Sequence, residues 1–298
     1  MMILPPKSGD FKDFVISKIK MLCDSNAWPF EFDRFGAWLD NFDNELDEYC
    51  ALQILNSLIV RTNEMARSTY FKLLASDVHQ FIVKNIDGVP CEIDAWLESL
   101  SSGSLREKIR FSPVRLADDE GESGSVIYRL LSCWVDTDKY SLLKAKSNPE
   151  VVILVDDFLG SGTQFLDFAR EISLDQKLVS SKFIYCPLVA MHGGIDFVKA
   201  HYPSVEILPG EVVQASHSLF FGDGFFLYDE INEINVIKNY YMEMKDRVAP
   251  KMPFWLGRDN SAIPLVFEWG CPNQAPSILY MKYSKIIKPW SQLFGRRS

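Results

Sequence analysis

Two adjacent carboxylates, followed closely by a turn of small residues, form the segment of this 298-residue chain best suited to chemistry. After an apolar run at 151–155 come Asp156 and Asp157, and then Gly160, Ser161, Gly162, Thr163 and Gln164. A glycine-rich turn that begins a helix lets backbone N–H groups approach a phosphate, and the two hydroxyls add donors. Carboxylates would repel a phosphate, but they suit sugar hydroxyls, directly or through a magnesium ion. The string therefore predicts a sugar-phosphate site.

Other phosphate sites fit this string less well. A nucleotide hydrolase with acids at a strand end also needs G-x-x-x-x-G-K-[ST], and the chain contains no Gly-Lys dipeptide. A dinucleotide fingerprint needs a third glycine where Phe165 stands. A turn with a purely structural role stays open as the alternative to a ligand site.

Alternating strand and helix patterns surround the string. Apolar runs predict strands, and helical spacing of apolar residues predicts helices between them, so the segment predicts an α/β unit with a parallel sheet and right-handed crossovers. Ligands bind beyond the carboxyl ends of such strands, and we expect Asp156 and Asp157 to lie exposed at a strand end. The predicted strands are 108–116, 151–155, 183–191 and 205–208, and the predicted helices are 126–134, 163–172 and one ending near His201.

The regions on either side have a different character. Helical periodicity dominates residues 1–103 and is clearest over 46–86, where Thr62 and Asn63 form a candidate interruption. Residues 231–298 combine one helix with prolines, aromatics and a basic tail. The sequence thus predicts three parts: a helical N-terminal region at 1–103, an α/β core at 104–230 and a C-terminal region at 231–298.

Composition limits the class of protein. Hydrophobic residues make up 47% of the chain and the net charge is −9 at pH 7, which argues against disorder and against general coating of nucleic acid. No apolar stretch approaches the roughly 18 residues of a membrane span. The six cysteines are scattered without a metal-ligand spacing, which favours reduced thiols. We expect a cytoplasmic globular protein without a membrane segment.

The string resembles the phosphoribosyl-pyrophosphate motif of the type I phosphoribosyltransferases. Asp156 and Asp157 match the acid pair that holds the ribose hydroxyls in that family, and Ser161 and Gly162 match the Thr/Ser-Gly that binds the 5-phosphate. Gln164 stands where the family usually has a threonine, and Thr163 is the candidate replacement. The resemblance covers about residues 105–220. It implies the type I α/β fold and a Mg²⁺-dependent transferase, with the metal reaching Asp156 and Asp157 through the ligand.

The resemblance also implies a diphosphate loop after the first strand of the core. Ser123 and Gly124 could supply its N–H groups, and Arg115 could contact the diphosphate. A solvated acidic loop and a surface ion pair are the competing interpretations. Only a short segment separates Gly124 from Val151, which leaves little room for the mobile lid of typical members. Binding of a nucleotide without turnover therefore stays open as an alternative to transfer.

A wider similarity extends to the phosphoribosyltransferase-like proteins of bacterial conflict systems, including retrons. It rests on Ser123-Gly124, the string 156–163, Leu265–Glu268 and the Pro-Asn-x-x-Pro run at 272–276. The similarity implies an anti-phage effector held inactive by a partner such as a reverse transcriptase with its RNA or single-stranded DNA. Assembly into a homo-oligomer is also open.

The C-terminal region offers two weaker candidates. In the resembling family a hood covers the base, and Glu268 and Asn273 could recognise the edge of a base there, with packing as the alternative. A basic tail could contact a nucleic-acid backbone or simply be solvated. Its cations are Lys282, Lys285, Lys288, Arg296 and Arg297.

Overall fold

The structure, a computed structural model, describes residues 1–115, 123–222, 229, 231–282 and 290–296, with the side chains of 123–125 left out. The chain divides into two compact units. A terminal unit combines Met1–Thr62 with Ala215–Arg297, and a central unit is the continuous segment Asn63–Gln214. This division differs from the three predicted parts, because the helices of residues 63–103 belong to the same unit as the sheet. None of the described helices is both long and apolar enough to cross a bilayer.

The terminal unit is mainly helical and contains one short pair of parallel strands. Its elements are α1 (Ser8–Asp24), α2 (Asp33–Leu39), α3 (Glu45–Asn56), β1 (Ile59–Arg61), α11 (Ile234–Val248) and β7 (Leu265–Phe267). Val60 of β1 lies opposite Val266 of β7. The prediction of helix across 46–86 was wrong at β1. The β-branched pair Ile59-Val60 favours an extended chain, and pairing with β7, far away in sequence, supplies the strand partner.

The central unit contains the parallel sheet. In chain order its elements are α4 (Asn63–Ala75), α5 (Asp77–Asn85), α6 (Ile93–Ser102), β2 (Ile109–Pro113), α7 (Ser123–Leu131), β3 (Val151–Leu159), α8 (Thr163–Glu171), α9 (Leu174–Lys177), β4 (Lys182–Met191), α10 (His192–His201), β5 (Glu206–Ile207) and β6 (Glu211–Val213). The sheet order is β2-β3-β4-β5, and β6 pairs with a later part of β4. Every pairing is parallel, which confirms the predicted α/β fold class.

A single bridge beyond β2 shows how the chain changes direction across the sheet. Ser141 makes a parallel bridge to Phe111, whose N–H donates to the carbonyl of Tyr140 at 2.8 Å. Because Phe111 also lies opposite Ile153 of β3, the bridge is on the outer edge of β2. The chain therefore moves outward from β2 to Ser141 and then returns past β2 to β3. The connection after β2 thus leads toward one edge of the sheet, and the connection after β3 leads to β4, toward the other edge. This change of direction between β2 and β3 is the reversal of strand order.

Candidate functional site

The two acids lie inside β3. The strand continues through Phe158 and Leu159, which pair with Val189 and Ala190 of β4. Asp156 is 3% exposed and Asp157 is 0% exposed, so the expectation of exposed carboxylates at a strand end was wrong. The apolar pair after the acids explains the difference, because its burial against β4 extends the strand. Since successive side chains of a strand point to opposite faces of the sheet, the two carboxylates face opposite ways.

Asp156 is held by hydrogen bonds to both of its carboxylate oxygens. The Tyr185 hydroxyl donates to Oδ2 at 2.7 Å, and the backbone N–H of Asp157 donates to Oδ1 at 2.9 Å. Tyr185 belongs to β4, and its ring stacks on Phe165 of α8 with a centroid separation of 4.7 Å. The Asp156 side chain is thus tied to the core between the sheet and α8.

The N–H of Asp157 needs this partner because β2 is short. The pairing of β2 with β3 ends at Pro113 opposite Val155, and Val114 then donates to the carbonyl of Val155 at 2.9 Å. A buried N–H without an acceptor is costly, and the Asp156 carboxylate supplies the acceptor. The shape of the backbone at Asp157 therefore depends on the side chain of Asp156.

A tyrosine from α4 supports the same strand. The Tyr70 hydroxyl lies 2.6 Å from the carbonyl oxygen of Asp156 and 3.0 Å from that of Cys186, and both carbonyls can accept from it. Burial first, and then the nearby Cys186 and the two acids, raise the pKa of Tyr70 well above its ordinary value. Tyr70 consequently stays protonated and keeps its hydrogen donor through the physiological range.

The turn predicted to bind a phosphate contains a left-handed glycine and begins a helix. Gly162 has a φ of +86° and precedes α8, and its carbonyl accepts the N–H of Leu166 at 3.1 Å. The N–H groups of Thr163, Gln164 and Phe165 come before that bond, so the helix itself offers them no acceptor. The hydroxyls of Ser161 and Thr163 lie 3.0 Å apart, and Thr163 is exposed. The turn combines N–H groups that α8 itself does not pair with two hydroxyls and no acid.

The residues predicted to contact a diphosphate follow β2. Ser123 and Gly124 begin α7, and Arg115 is exposed two positions beyond the end of β2. The acidic residues 118–122 lie outside the described part of the chain. Because β2 and β3 are parallel neighbours, their carboxyl ends lie together at one sheet edge. The chain leaves that edge toward α7 on one side and α8 on the other.

The two hood candidates belong to the terminal unit. The Asn273 side-chain oxygen accepts hydrogen bonds from the Arg296 guanidinium at 3.0 and 3.2 Å, and its carbonyl accepts the N–H of Arg258 at 2.7 Å. The N–H of Glu268 donates to the carbonyl of Arg61 at 2.9 Å. These bonds give Asn273 a local packing role. Recognition of a base by Glu268 or Asn273 stays a prediction.

Comparison with known proteins gives the family. The family model described as PRTase-CE matches residues 35–296. The chain belongs to the PRTase-CE family. It is phosphoribosyltransferase-like, as the resemblance at residues 151–163 predicted. No curated protein matches the sequence. The AQ2163 protein from Aquifex aeolicus is similar at 11% identity and a TM-score of 0.30, over 72% of this chain and 87% of that chain, which is too weak to support an argument.

The described side chains of this PRTase-CE chain are too few to hold a magnesium ion by themselves, and they suit one only as part of a complex with a bound ligand. Among the described residues, no cluster of three or more acids, histidines and cysteines could hold a metal. Both Asp156 oxygens already accept hydrogen bonds from the protein. Mg²⁺ commonly combines one carboxylate with water and substrate phosphates. An acid beside the oxygens of a bound diphosphate matches that pattern, and indirect contact of Asp156 and Asp157 with a metal carried by the ligand stays a prediction.

Three contributors to this site were missed by sequence analysis. Tyr70 and Tyr185 hydrogen-bond to the carbonyl and the carboxylate of Asp156, respectively. The backbone of Gly194 lies so close to the Gly160 carbonyl that it leaves no room for a Cβ atom. Two consecutive glycines, Gly193 and Gly194, follow the predicted strand 183–191, and a glycine at such a place is the kind of signal that can mark close approach of two backbones. Neither tyrosine stood out, because a buried tyrosine is ordinary in a strand or a helix.

Proposed function

We propose that this PRTase-CE protein binds a phosphoribosyl-pyrophosphate-like or nucleotide ligand at the carboxyl edge of β2 and β3. The reversal of strand order between these two strands carries the proposal. In open α/β sheets, ligands bind in the crevice at such a reversal, where connections leave in opposite directions. The Gly160–Thr163 turn begins α8 at this edge, and Ser123-Gly124 begin α7 there.

Each end of such a ligand has a matching group. The 5-phosphate would accept the N–H groups at the start of α8 and the hydroxyls of Ser161 and Thr163. The diphosphate would lie at Ser123, Gly124 and Arg115, since a guanidinium suits paired phosphate oxygens. Ribose hydroxyls would lie between them, in reach of the acid pair.

The reaction that fits is glycosyl transfer or release of pyrophosphate. The bond from ribose C1 to the diphosphate oxygen breaks, its electron pair leaves with the diphosphate, and an acceptor nucleophile bonds to C1. When carried by the diphosphate, magnesium would neutralise its charge and make it a better leaving group. The chain's own residues orient the sugar and hold both phosphates, which lowers the barrier through positioning and electrostatics.

Binding without turnover is the second candidate, and the burial of the acids favours it. Asp157 is fully buried, so a sugar reaches it only when the residues over it move. A site that must open in this way can report on ligand binding by changing shape. The chain would then act as a nucleotide sensor.

In biological terms, we propose a cytoplasmic effector of a bacterial anti-phage system that works with a partner protein and its nucleic acid. The resemblance to conflict-system proteins supports this role. All six cysteines are free, which fits a reducing compartment.

The test is calorimetric titration of the full chain with phosphoribosyl pyrophosphate in magnesium buffer, paired with an assay for released pyrophosphate. Saturable binding with release supports the transferase, and binding without release supports the sensor. Absence of binding, together with absence of release, would contradict the proposed site.

A further inference from the structure

We infer that the acid pair is functionally split, with Asp156 a positioning residue and Asp157 the one carboxylate that contacts the sugar. This inference rests on the proposed function, and it departs from the shared ribose-binding role that the sequence motif implies. It requires that both oxygens of the Asp156 carboxylate be engaged by the protein, and that the partners of Asp156 fix the direction of Asp157.

The first requirement is met by the hydrogen bonds of Asp156. Each oxygen accepts from a group of the central unit, Oδ2 from the Tyr185 hydroxyl and Oδ1 from the N–H of Asp157. The side chain is 3% exposed, and Tyr185 is itself fixed by stacking on Phe165. A sugar hydroxyl could approach Asp156 only by breaking into this stack.

The second requirement follows from the end of β2. Beyond Pro113, the bond to Oδ1 of Asp156 fixes the peptide that leads into Asp157. The Tyr70 hydroxyl holds the carbonyl of that same peptide at 2.6 Å. Both sides of the Asp156–Asp157 peptide are therefore anchored by side chains, which sets the direction in which the Asp157 carboxylate points.

Asp157 is also fully buried, so a ligand reaches it only when the residues over it move, and its place on the strand, not its exposure, distinguishes it from Asp156. It lies just past the end of β2, at the reversal of strand order, on the strand face opposite Tyr185. Its carboxylate therefore lies apart from the pair formed by Asp156 and Tyr185.

Substitutions at Asp156 separate geometry from charge. An asparagine there keeps an oxygen for the N–H of Asp157 and offers an amide N–H to the Tyr185 oxygen, whereas an alanine loses both bonds. The experiment titrates phosphoribosyl pyrophosphate with Mg²⁺ into full-length Asp156→Asn, Asp156→Ala and Asp157→Asn, and records the unfolding temperature of each. Asp175→Asn, an exposed acid on α9, is the matched control.

We expect Asp156→Asn and Asp175→Asn to bind within about threefold of the wild type. Asp156→Ala and Asp157→Asn should bind about tenfold or more weakly, the size of effect typical of one lost charged hydrogen bond. Stronger binding by Asp156→Asn than by Asp156→Ala identifies Asp156 as a positioning residue. This comparison can be made even if Asp157→Asn does not fold.

Two results would overturn the inference, and they differ from failure of the proposed function. Asp156→Asn that binds as weakly as Asp156→Ala, at an unchanged unfolding temperature, would make Asp156 a sugar ligand and leave the proposed site intact. Asp157→Asn that binds like the wild type would remove the role given to Asp157. A wild type that fails to bind would contradict the proposed function, and the inference with it.

Discussion

Gly194, in the first turn of α10, lies against Gly160 so closely that a Cβ atom at position 194 would stand 2.0 Å from the Gly160 carbonyl oxygen. The same Cβ would also stand 3.2 Å from Cγ of Leu159. The first residue of the phosphate turn thus packs directly on a helix backbone. The helix after β4 is part of what shapes the turn after β3.

Gly194→Ala should destabilise the protein and weaken binding of phosphoribosyl pyrophosphate. The clash is with backbone, so the turn must shift, and overpacking of this kind costs about 1–3 kcal/mol. Urea unfolding and calorimetric titration measure the two effects. Gly193→Ala is the control, because a Cβ there meets nothing within 4 Å, and alanine in a helix gains up to about 1 kcal/mol over glycine. Equal behaviour of the two variants would contradict the packing argument.

Gly162→Val should bind phosphoribosyl pyrophosphate more weakly than Gly162→Asn. Both variants place a Cβ 2.7 Å from a ring carbon of Phe197, but only asparagine tolerates a φ of +86°. A β-branched residue in this left-handed conformation costs about 1–2 kcal/mol, and the turn would change shape to avoid it. Titration in Mg²⁺ buffer gives the comparison. If valine binds like the wild type, the turn does not hold the phosphate.

Stability should fall as the pH rises above about 10, and Tyr70 should account for part of the fall. In the unfolded chain tyrosine ionises near pH 10, whereas burial raises the pKa of Tyr70 in the folded protein. Above pH 10 the folded state therefore binds more protons, and each such group lowers the free energy of unfolding by about 1.4 kcal/mol per pH unit up to its folded pKa.

Tyr70→Phe provides the test of this assignment. It should be less stable than the wild type at pH 8 by about 1–2 kcal/mol, since two buried carbonyls lose a donor. Its stability should then fall less steeply between pH 9 and pH 11 in urea unfolding. A slope identical to that of the wild type would show that Tyr70 does not contribute to the alkaline loss.

The basic tail should contribute to binding of single-stranded RNA. Replacing Lys282, Lys285 and Lys288 by alanine should flatten the dependence of log affinity on log salt by roughly 0.7 for each phosphate that the tail no longer neutralises. Fluorescence anisotropy at several salt concentrations measures the slope. The control replaces three exposed helical lysines, Lys72, Lys84 and Lys199. Arg296 is left in place because it holds Asn273. Equal slopes in the two triple variants would identify the tail as a solvated end.

Local patterns were enough to predict β2 to β5 and the helices α7, α8 and α10, but not β6. The apolar runs of β3 and β4 and the helical spacing of α8 are strong periodic signals, and the small residues at 160–163 marked the turn. What could not be predicted is how long β3 is. Acids are unfavourable inside a buried strand, and the hydrogen bonds that Asp156 accepts from the Tyr185 hydroxyl and from the Asp157 N–H, which β2 is too short to pair, compensate for its burial there.

The division of the chain into two units could not be predicted from local sequence patterns, for a related reason. Helical periodicity spans residues 46–86, and the candidate interruption at Thr62 and Asn63 indicates a break between two helices and not a passage from one unit to the other. The decisive feature is the pairing of Val60 with Val266, which joins segments far apart in sequence. Motif residues had the same limitation, since the hydrogen bond between Asn273 and Arg296 joins positions that the motif does not relate.

The continuity of the central unit has a consequence for the order of events on the ribosome. All strands of its sheet are synthesised before residue 214, so this unit can fold while the rest of the chain is still being made. By contrast, β1 emerges early but must wait for β7, some two hundred residues later, before it gains its partner. Closing so long a loop is slow, and until then the helices that precede β1 expose apolar faces to water. These helices therefore bury their apolar faces late and stay prone to aggregation until then, although they leave the ribosome before the sheet does.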